Sequence, residues 1–178
     1  MKKVILIILG LVLAIGITIL FYNLLTINID GYLTGYEKES DNNGRIAYTS
    51  KDSFKNEMKS YNIPDNVIND MVQNRFNYSI YWIDVNIKNE EGNSIYELKN
   101  SLEGVNDRIW ITSDLSKEFQ YNMESGEEYN LSIRTIIKTE GLDNSQIDGL
   151  IKNVSIRISA RKYEYIPIWG SKVFNFPE

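Results

Sequence analysis

Residues 128–139 read EYNLSIRTIIKT, and this stretch decides the fold class of the chain. Every second residue from Tyr129 onward is bulky and apolar or β-branched, and the series is Tyr129, Leu131, Ile133, Thr135 and Ile137. Successive side chains of a strand point to opposite faces of a sheet, so this period of two predicts a strand with one face in a core. We therefore predict a mainly β protein.

Further strand signals lie on both sides of this stretch. Residues 77–88 and 153–162 alternate with the same period, and shorter runs of β-forming residues occur between them. The predicted strands are 26–36, 45–49, 77–88, 94–98, 108–112, 117–123, 128–139, 153–162 and an edge strand within 165–176. A polar loop follows 77–88, so we expect a hairpin that pairs 94–98 with 77–88.

Two short helices are predicted between the second and third strands. The first covers residues 52–61, where apolar side chains recur at helical spacing. Pro64 suits the first position of the second helix, whose apolar stripe is Val67, Ile68, Met71 and Val72. A third short helix is predicted over 143–151.

Many short strands with few helices favour an antiparallel β-sandwich. Residues 126–133, GEEYNLSI, resemble the turn and strand of fibronectin type III and immunoglobulin-like domains, in which a tyrosine after a glycine turn forms a corner. The resemblance is local, and it implies a sandwich fold without any activity or ligand. The inserted helices over 52–74 depart from that family.

An apolar segment precedes the predicted strands. Residues 4–22 are apolar almost throughout and contain no charged side chain. A helix of this length crosses a hydrocarbon core of about 30 Å, and the two lysines before it favour a cytoplasmic N-terminus. We predict a cytoplasmic stub and transmembrane signal anchor over 1–25, spanning the cell membrane once through 4–25. Residues 26–178 then form one extracytoplasmic domain.

A cleaved signal peptide is the alternative for the same segment. Ala14, Ile15 and Gly16 offer small residues at the spacing of a cleavage site. Against cleavage, apolar residues continue through 17–25 and would form an apolar new N-terminus. Both alternatives place residues 26–178 outside the cytoplasm.

The charge balance argues against a nucleic-acid partner. The chain of 178 residues has 19 basic and 24 acidic side chains, a net charge of −5. Lys2 and Lys3 precede the anchor, so the domain beyond it carries a net charge of −7. An acidic surface repels phosphate backbones.

The chain contains no histidine and no cysteine, which removes several kinds of chemistry. Serine–histidine and cysteine–histidine nucleophiles are excluded, as are the usual zinc sites. The acidic turn over 39–44 has the spacing of a calcium loop, but the position that needs a bidentate acid is Ser50. We predict no catalytic residues, no metal site, no cofactor and no enzymatic activity.

Aromatic residues are the candidate binding residues. They fall in two groups, and the predicted set is Tyr78, Trp82, Tyr163, Tyr165 and Trp169. Tyr78 and Trp82 share one face of the predicted strand 77–88, which is either covered by the helices over 52–74 or exposed as an aromatic platform. The C-terminal group poses the same question.

These observations favour a binding or scaffolding module held at the cell surface. We expect the protein to be an accessory component of a cell-envelope assembly, with another membrane or envelope protein as its partner. The alternative is a surface protein that binds cell-wall glycan through exposed tyrosine and tryptophan rings, or cleaves it with paired carboxylates.

Overall fold

The computed structural model describes residues 10–20, 27–103, 107–113, 122–165 and 169–177. Within these ranges the chain is mainly β, with antiparallel sheets and a few helices, as predicted. The strands are β1 (Ile29–Lys38), β2 (Tyr78–Asn89), β3 (Tyr96–Leu102), β4 (Ile109–Ile111), β5 (Glu128–Lys138), β6 (Ile156–Arg161) and β7 (Trp169–Phe174). The helices are α1 (Lys51–Ser60), α2 (Asp65–Gln73) and α3 (Asn144–Lys152).

The strands form a four-stranded sheet and a three-stranded sheet. The four-stranded sheet has the order β1-β2-β5-β4, and the three-stranded sheet has the order β3-β6-β7. Residues from both sheets belong to one hydrophobic core, among them Ile83, Val85, Ile133, Ile156, Ile158 and Phe174. The alternation in 128–139 thus places Ile133 in this core and Arg134 on the opposite face of the sheet.

Helices α1 and α2 cover part of that opposite face. Their buried side chains pack with Tyr78, Ile80 and Ile136 of the four-stranded sheet, and they are Phe54, Met58, Ile68 and Met71. Ser50 caps α1, because its side-chain oxygen accepts a hydrogen bond from the amide of Ser53.

One pairing prediction is wrong. The run 94–98 does not return beside β2, because β3 pairs with β6 while β2 pairs with β1 and β5. The buried side-chain amide of Asn89 donates to the carbonyl oxygens of Asn93 and Met123, at 3.0 and 2.8 Å. These bonds hold the loop after β2 so that the chain does not return beside that strand. Ile95 and Leu98 then pack into the core that the two sheets share.

Residues 45–49 form no second strand. Arg45 makes one isolated bridge with Ser79, and Ile46 turns into the cluster beneath the helices. Most of the predicted strand 117–123 lies outside the described residues, although Met123 bridges Ile95. The predicted C-terminal edge strand is confirmed, since β7 is the last strand of the three-stranded sheet.

The predicted transmembrane segment is described only in part. Residues 10–20 are helical, and their large apolar side chains, such as Val12 and Leu13, are exposed. In the described part of the chain, no helix has both the length and the apolar character needed to cross a membrane. Residues 4–9 and 21–25 lie outside the described residues. The span over 4–25 therefore stays a prediction.

The start of the folded domain packs against β7. Ile27 is buried and lies on Gly170, where a Cβ atom would come within 2.4 Å of Ile27 Cγ2 and 2.6 Å of its backbone nitrogen. Only glycine fits at this close approach. The amide of Leu33 also donates to the carbonyl oxygen of Asn175, at 3.2 Å, so the first and last strands are neighbours.

Candidate functional site

The structure separates the five predicted aromatic residues. Tyr78 is 1% exposed and its ring contacts that of Trp110, so it belongs to the core beneath the helices. Its hydroxyl donates to the carboxylate of Asp70, and burial raises the pKa of Tyr78 well above its usual value. Trp82 is half-buried and lies opposite Arg134 in the four-stranded sheet. Tyr78 and Trp82 therefore form no continuous exposed platform.

The C-terminal aromatic residues stay together at one end of the three-stranded sheet. Tyr163 and Tyr165 lie just beyond β6, and Trp169 begins β7 and pairs with Arg161 at the end of β6. Tyr165 is 85% exposed, whereas Tyr163 and Trp169 are half-buried. The carboxylate of Glu164 accepts a hydrogen bond from Tyr165 and raises the pKa of its phenol.

A β-bulge in β3 places a lysine beside Trp169. Tyr96 pairs with Arg161 and Lys99 pairs with Ser159, so β3 has one more residue than β6 between these two pairs. Glu97, inside the bulge, has a φ of 52°, in the left-handed region. Bulges of this kind re-aim the side chains that follow them. Lys99 is exposed on the outer face of the sheet as a result.

Lys99 and Trp169 line a groove. The ammonium nitrogen of Lys99 lies 4.0 Å from the centre of the Trp169 ring, a cation–π contact. Together with Asn100, Ser101 and Ser159, these residues surround about 340 Å³, within the range of small binding sites. We call this feature the Trp169 groove.

The other cations on this side of the sheet are matched by carboxylates. Arg157 binds Glu103 through two hydrogen bonds of 2.7 and 2.9 Å, which hold the pKa of Glu103 below its usual value. Arg161 contacts Glu97 at 2.5 Å. Lys99 instead lies over an aromatic ring, so it supplies positive charge at the mouth of the groove. A ligand with a carboxylate beside an apolar group matches this arrangement.

The polar half of the groove was not predicted. Lys99, Ser101 and Ser159 are ordinary polar residues in their strands, and their common orientation depends on the bulge and on pairing between β3 and β6. Within the described ranges, no three acidic side chains lie close enough together to hold a metal ion. The side chains that line the groove can stack, form hydrogen bonds and pair with a charge.

Tyr129 is the residue predicted to form a tyrosine corner after the glycine turn. Tyr129 packs its ring against the main core, and its hydroxyl donates to the side chain of Glu127 at 3.3 Å.

No protein-family model, curated protein or solved structure matches the chain.

Proposed function

We propose that the chain is a membrane-anchored binding module of the cell envelope, with its folded domain outside the cytoplasm. In this proposal residues 4–25 span the membrane, the N-terminus is cytoplasmic, and the two sheets form an immunoglobulin-like β-sandwich. The core shared by the two sheets supports the sandwich. The exposed apolar side chains over 10–20 support the anchor, because such a surface is stable against lipid.

One observation carries the proposal: the Trp169 groove lies beside the point where the chain enters the domain. Ile27 follows the proposed anchor by two residues and packs on Gly170, the direct neighbour of Trp169. A short connection holds this end of the domain close to the bilayer. A partner bound at the groove is thus another membrane protein, or an envelope protein close to the membrane.

The residue types at the groove suit a protein partner. Tryptophan and tyrosine are among the residues that dominate the binding energy of protein interfaces, and this end of the sheet has Trp169 in the groove and the exposed Tyr165. Lys99 selects a partner segment with an acidic side chain. The protein acts by binding alone, without a reaction or a cofactor.

Site-specific photo-crosslinking in native membranes tests the proposal. A photo-reactive amino acid at Ser101, which is exposed at the groove, should give one discrete adduct with a membrane protein. Trp169→Ala in the same full-length chain should abolish this adduct. The matched control places the photo-reactive residue at Tyr32, 52% exposed on the four-stranded sheet, where we expect no adduct.

Two outcomes would overturn the proposal. An adduct of equal yield in the presence of Trp169→Ala and Lys99→Ala would show that the groove does not hold the partner. Retention of the full-length chain on purified peptidoglycan, lost on Trp169→Ala, would instead support glycan binding at this groove.

A further inference from the structure

A second cleft lies on the outer face of the four-stranded sheet, beside α1. It encloses about 410 Å³, within the range of small-molecule sites. Tyr48, Phe54, Glu57 and Arg134 are among the residues that line it. We call it the Arg134 cleft, and it lies on the sheet opposite the one that carries the Trp169 groove.

Arg134 lies between two glutamates without a close contact to either. Its Nε is 3.7 Å from an oxygen of Glu39, and its Nη1 is 3.7 Å from an oxygen of Glu57. Both distances exceed those of normal hydrogen bonds. The contact from Nη1 to the hydroxyl of Thr112 is 3.5 Å, also long. The guanidinium therefore retains hydrogen-bonding capacity toward the cleft.

Glu39, one of these two glutamates, has an unsatisfied acceptor. The Oε2 atom of Glu39 is buried, and no group in the described part of the chain donates to it. Burial of a carboxylate oxygen without a donor is costly, so such atoms usually have a partner. Glu39 does not line the cleft, so the charged side chains that a ligand meets there are Arg134 and Glu57.

An ordered aromatic ring forms the apolar wall of the cleft. Tyr48 stacks on Phe54, with ring centres 5.1 Å apart and planes inclined by 30°. The Tyr48 hydroxyl donates to the carbonyl oxygen of Val72, at 3.2 Å, which fixes the ring from its far end. A ring held in this way offers a surface for stacking at little entropic cost.

The charges at the cleft have opposite signs and lie close together, and this indicates the class of ligand. An ammonium group near the glutamates would also lie near Arg134, and a carboxylate near Arg134 would lie near Glu39 and Glu57. Arg134 and Glu57, the two charged side chains that line the cleft, have opposite signs, so an ion of either sign is attracted by one and repelled by the other. A hydroxyl group can accept from the guanidinium and donate to a carboxylate at the same time.

We propose that the Arg134 cleft binds a neutral sugar ring. Its hydroxyl groups accept hydrogen bonds from Arg134 and donate to Glu57, and its C–H face packs on Tyr48. This binding is independent of the proposed function, since it uses the opposite sheet and does not require the Trp169 groove.

Saturation-transfer NMR on the full-length chain in lipid nanodiscs tests the inference. The probes are glucose, galactose and N-acetylglucosamine, with lysine as a charged comparison, and protein-free nanodiscs give the background. At least one sugar should receive saturation, most strongly at the ring C–H protons. Lysine should receive none above background.

Two substitutions assign the binding to this cleft. Glu57→Gln, on an exposed part of α1, removes a charged acceptor and should weaken sugar binding about 10-fold. Arg134→Lys keeps the charge but loses the planar fork of donors, and should weaken binding by a similar factor. Glu140→Gln is the control, an exposed glutamate away from the cleft, and should leave binding unchanged.

Urea denaturation of each variant shows whether the fold is retained. Saturation of lysine but of no sugar would overturn the inference in favour of a cationic ligand. Saturation of no probe would also overturn it. Sugar binding that survives Glu57→Gln and Arg134→Lys in folded protein, or that disappears on Trp169→Ala, would place the sugar elsewhere.

Discussion

The ammonium group of Lys138 in β5 lies 2.8 Å from a carboxylate oxygen of Asp70 in α2. The same carboxylate accepts hydrogen bonds from the hydroxyl of Tyr78 and from the amide of Asn74. Lys138 makes the largest contribution, and together these donors lower the pKa of Asp70 to about 2. This polar group connects the helical layer to the four-stranded sheet.

The Asp70 carboxylate should stabilise the fold at neutral pH. Its pKa is lower in the folded chain, about 2, than the value of 3.8 for an unperturbed group, so its contribution is present above about pH 4. The contribution is lost as the pH falls from about 4 to 2. After allowance for solvent screening, we expect Asp70→Asn to lower the free energy of unfolding at pH 7 by about 1–2 kcal/mol.

Urea denaturation at pH 7 and at several values between pH 4 and 2 measures this effect. The difference between the natural chain and Asp70→Asn should shrink across the acidic range. Asp107→Asn, at an exposed position, is the control and should differ little from the natural chain at any pH. A constant difference down to pH 2 would contradict the assignment of this stability to the ionised carboxylate.

A charge at Ile133 should prevent stable folding. Ile133 is fully buried in the core between the sheets, where an aspartate has no partner for its charge. We expect Ile133→Asp to lose the strand signal in circular dichroism. Asn130→Asp introduces the same side chain at an exposed position of the same strand and should fold. A folded Ile133→Asp variant would show that this core is not the one described.

Gly170→Ala should destabilise the junction between β7 and the start of the domain. The added methyl group meets both the side chain and the backbone of Ile27, so one of the two segments must shift. We expect the free energy of unfolding to fall by about 1–3 kcal/mol, as in other overpacked sites. Gly35→Ala is the matched control in β1, where a Cβ atom has open space, and thermal denaturation of both variants gives the comparison. Equal melting temperatures would contradict the close approach.

Protease added to intact cells should degrade the folded domain. The proposed orientation exposes residues 27–178 at the outer surface while the N-terminal stub stays inside. One epitope tag at the C-terminus and another at the N-terminus, detected by immunoblotting, show whether each end of the chain has been degraded. We expect loss of the C-terminal signal in whole cells. A C-terminal signal that survives in intact cells and is lost only after lysis would contradict the proposed topology.

Much of the secondary structure is predictable from local patterns. Alternation is strong in 77–88, 128–139 and 153–162 because each of these strands has one face in the shared core. The helices over 52–61 and 143–151 are predictable because their apolar side chains repeat at helical spacing. In each case the order of apolar and polar residues within one element indicates which of its side chains are buried.

Strand partners and the sites depend on contacts between distant residues. The pairing of β3 with β6 follows from the turn around Asn89, whose side chain bonds to carbonyl groups that a sequence pattern does not reveal. Trp169 is recognisable as a candidate from its residue type, but Lys99 reaches it only because of the bulge at Glu97. Arg134 in β5 and Glu57 in α1 come together only in the folded chain, so their cleft has no local signal.

The contact between Ile27 and Gly170 also has a mechanical consequence. If residues 4–25 span the membrane and a partner binds in the Trp169 groove, as proposed, a pull on the domain reaches the anchor through β7 and Ile27 over a short path. The central strands β2 and β5 belong to the other sheet, away from the direct line between the groove and Ile27. The proposed module would then transmit a pull to the membrane mainly along one edge of the domain.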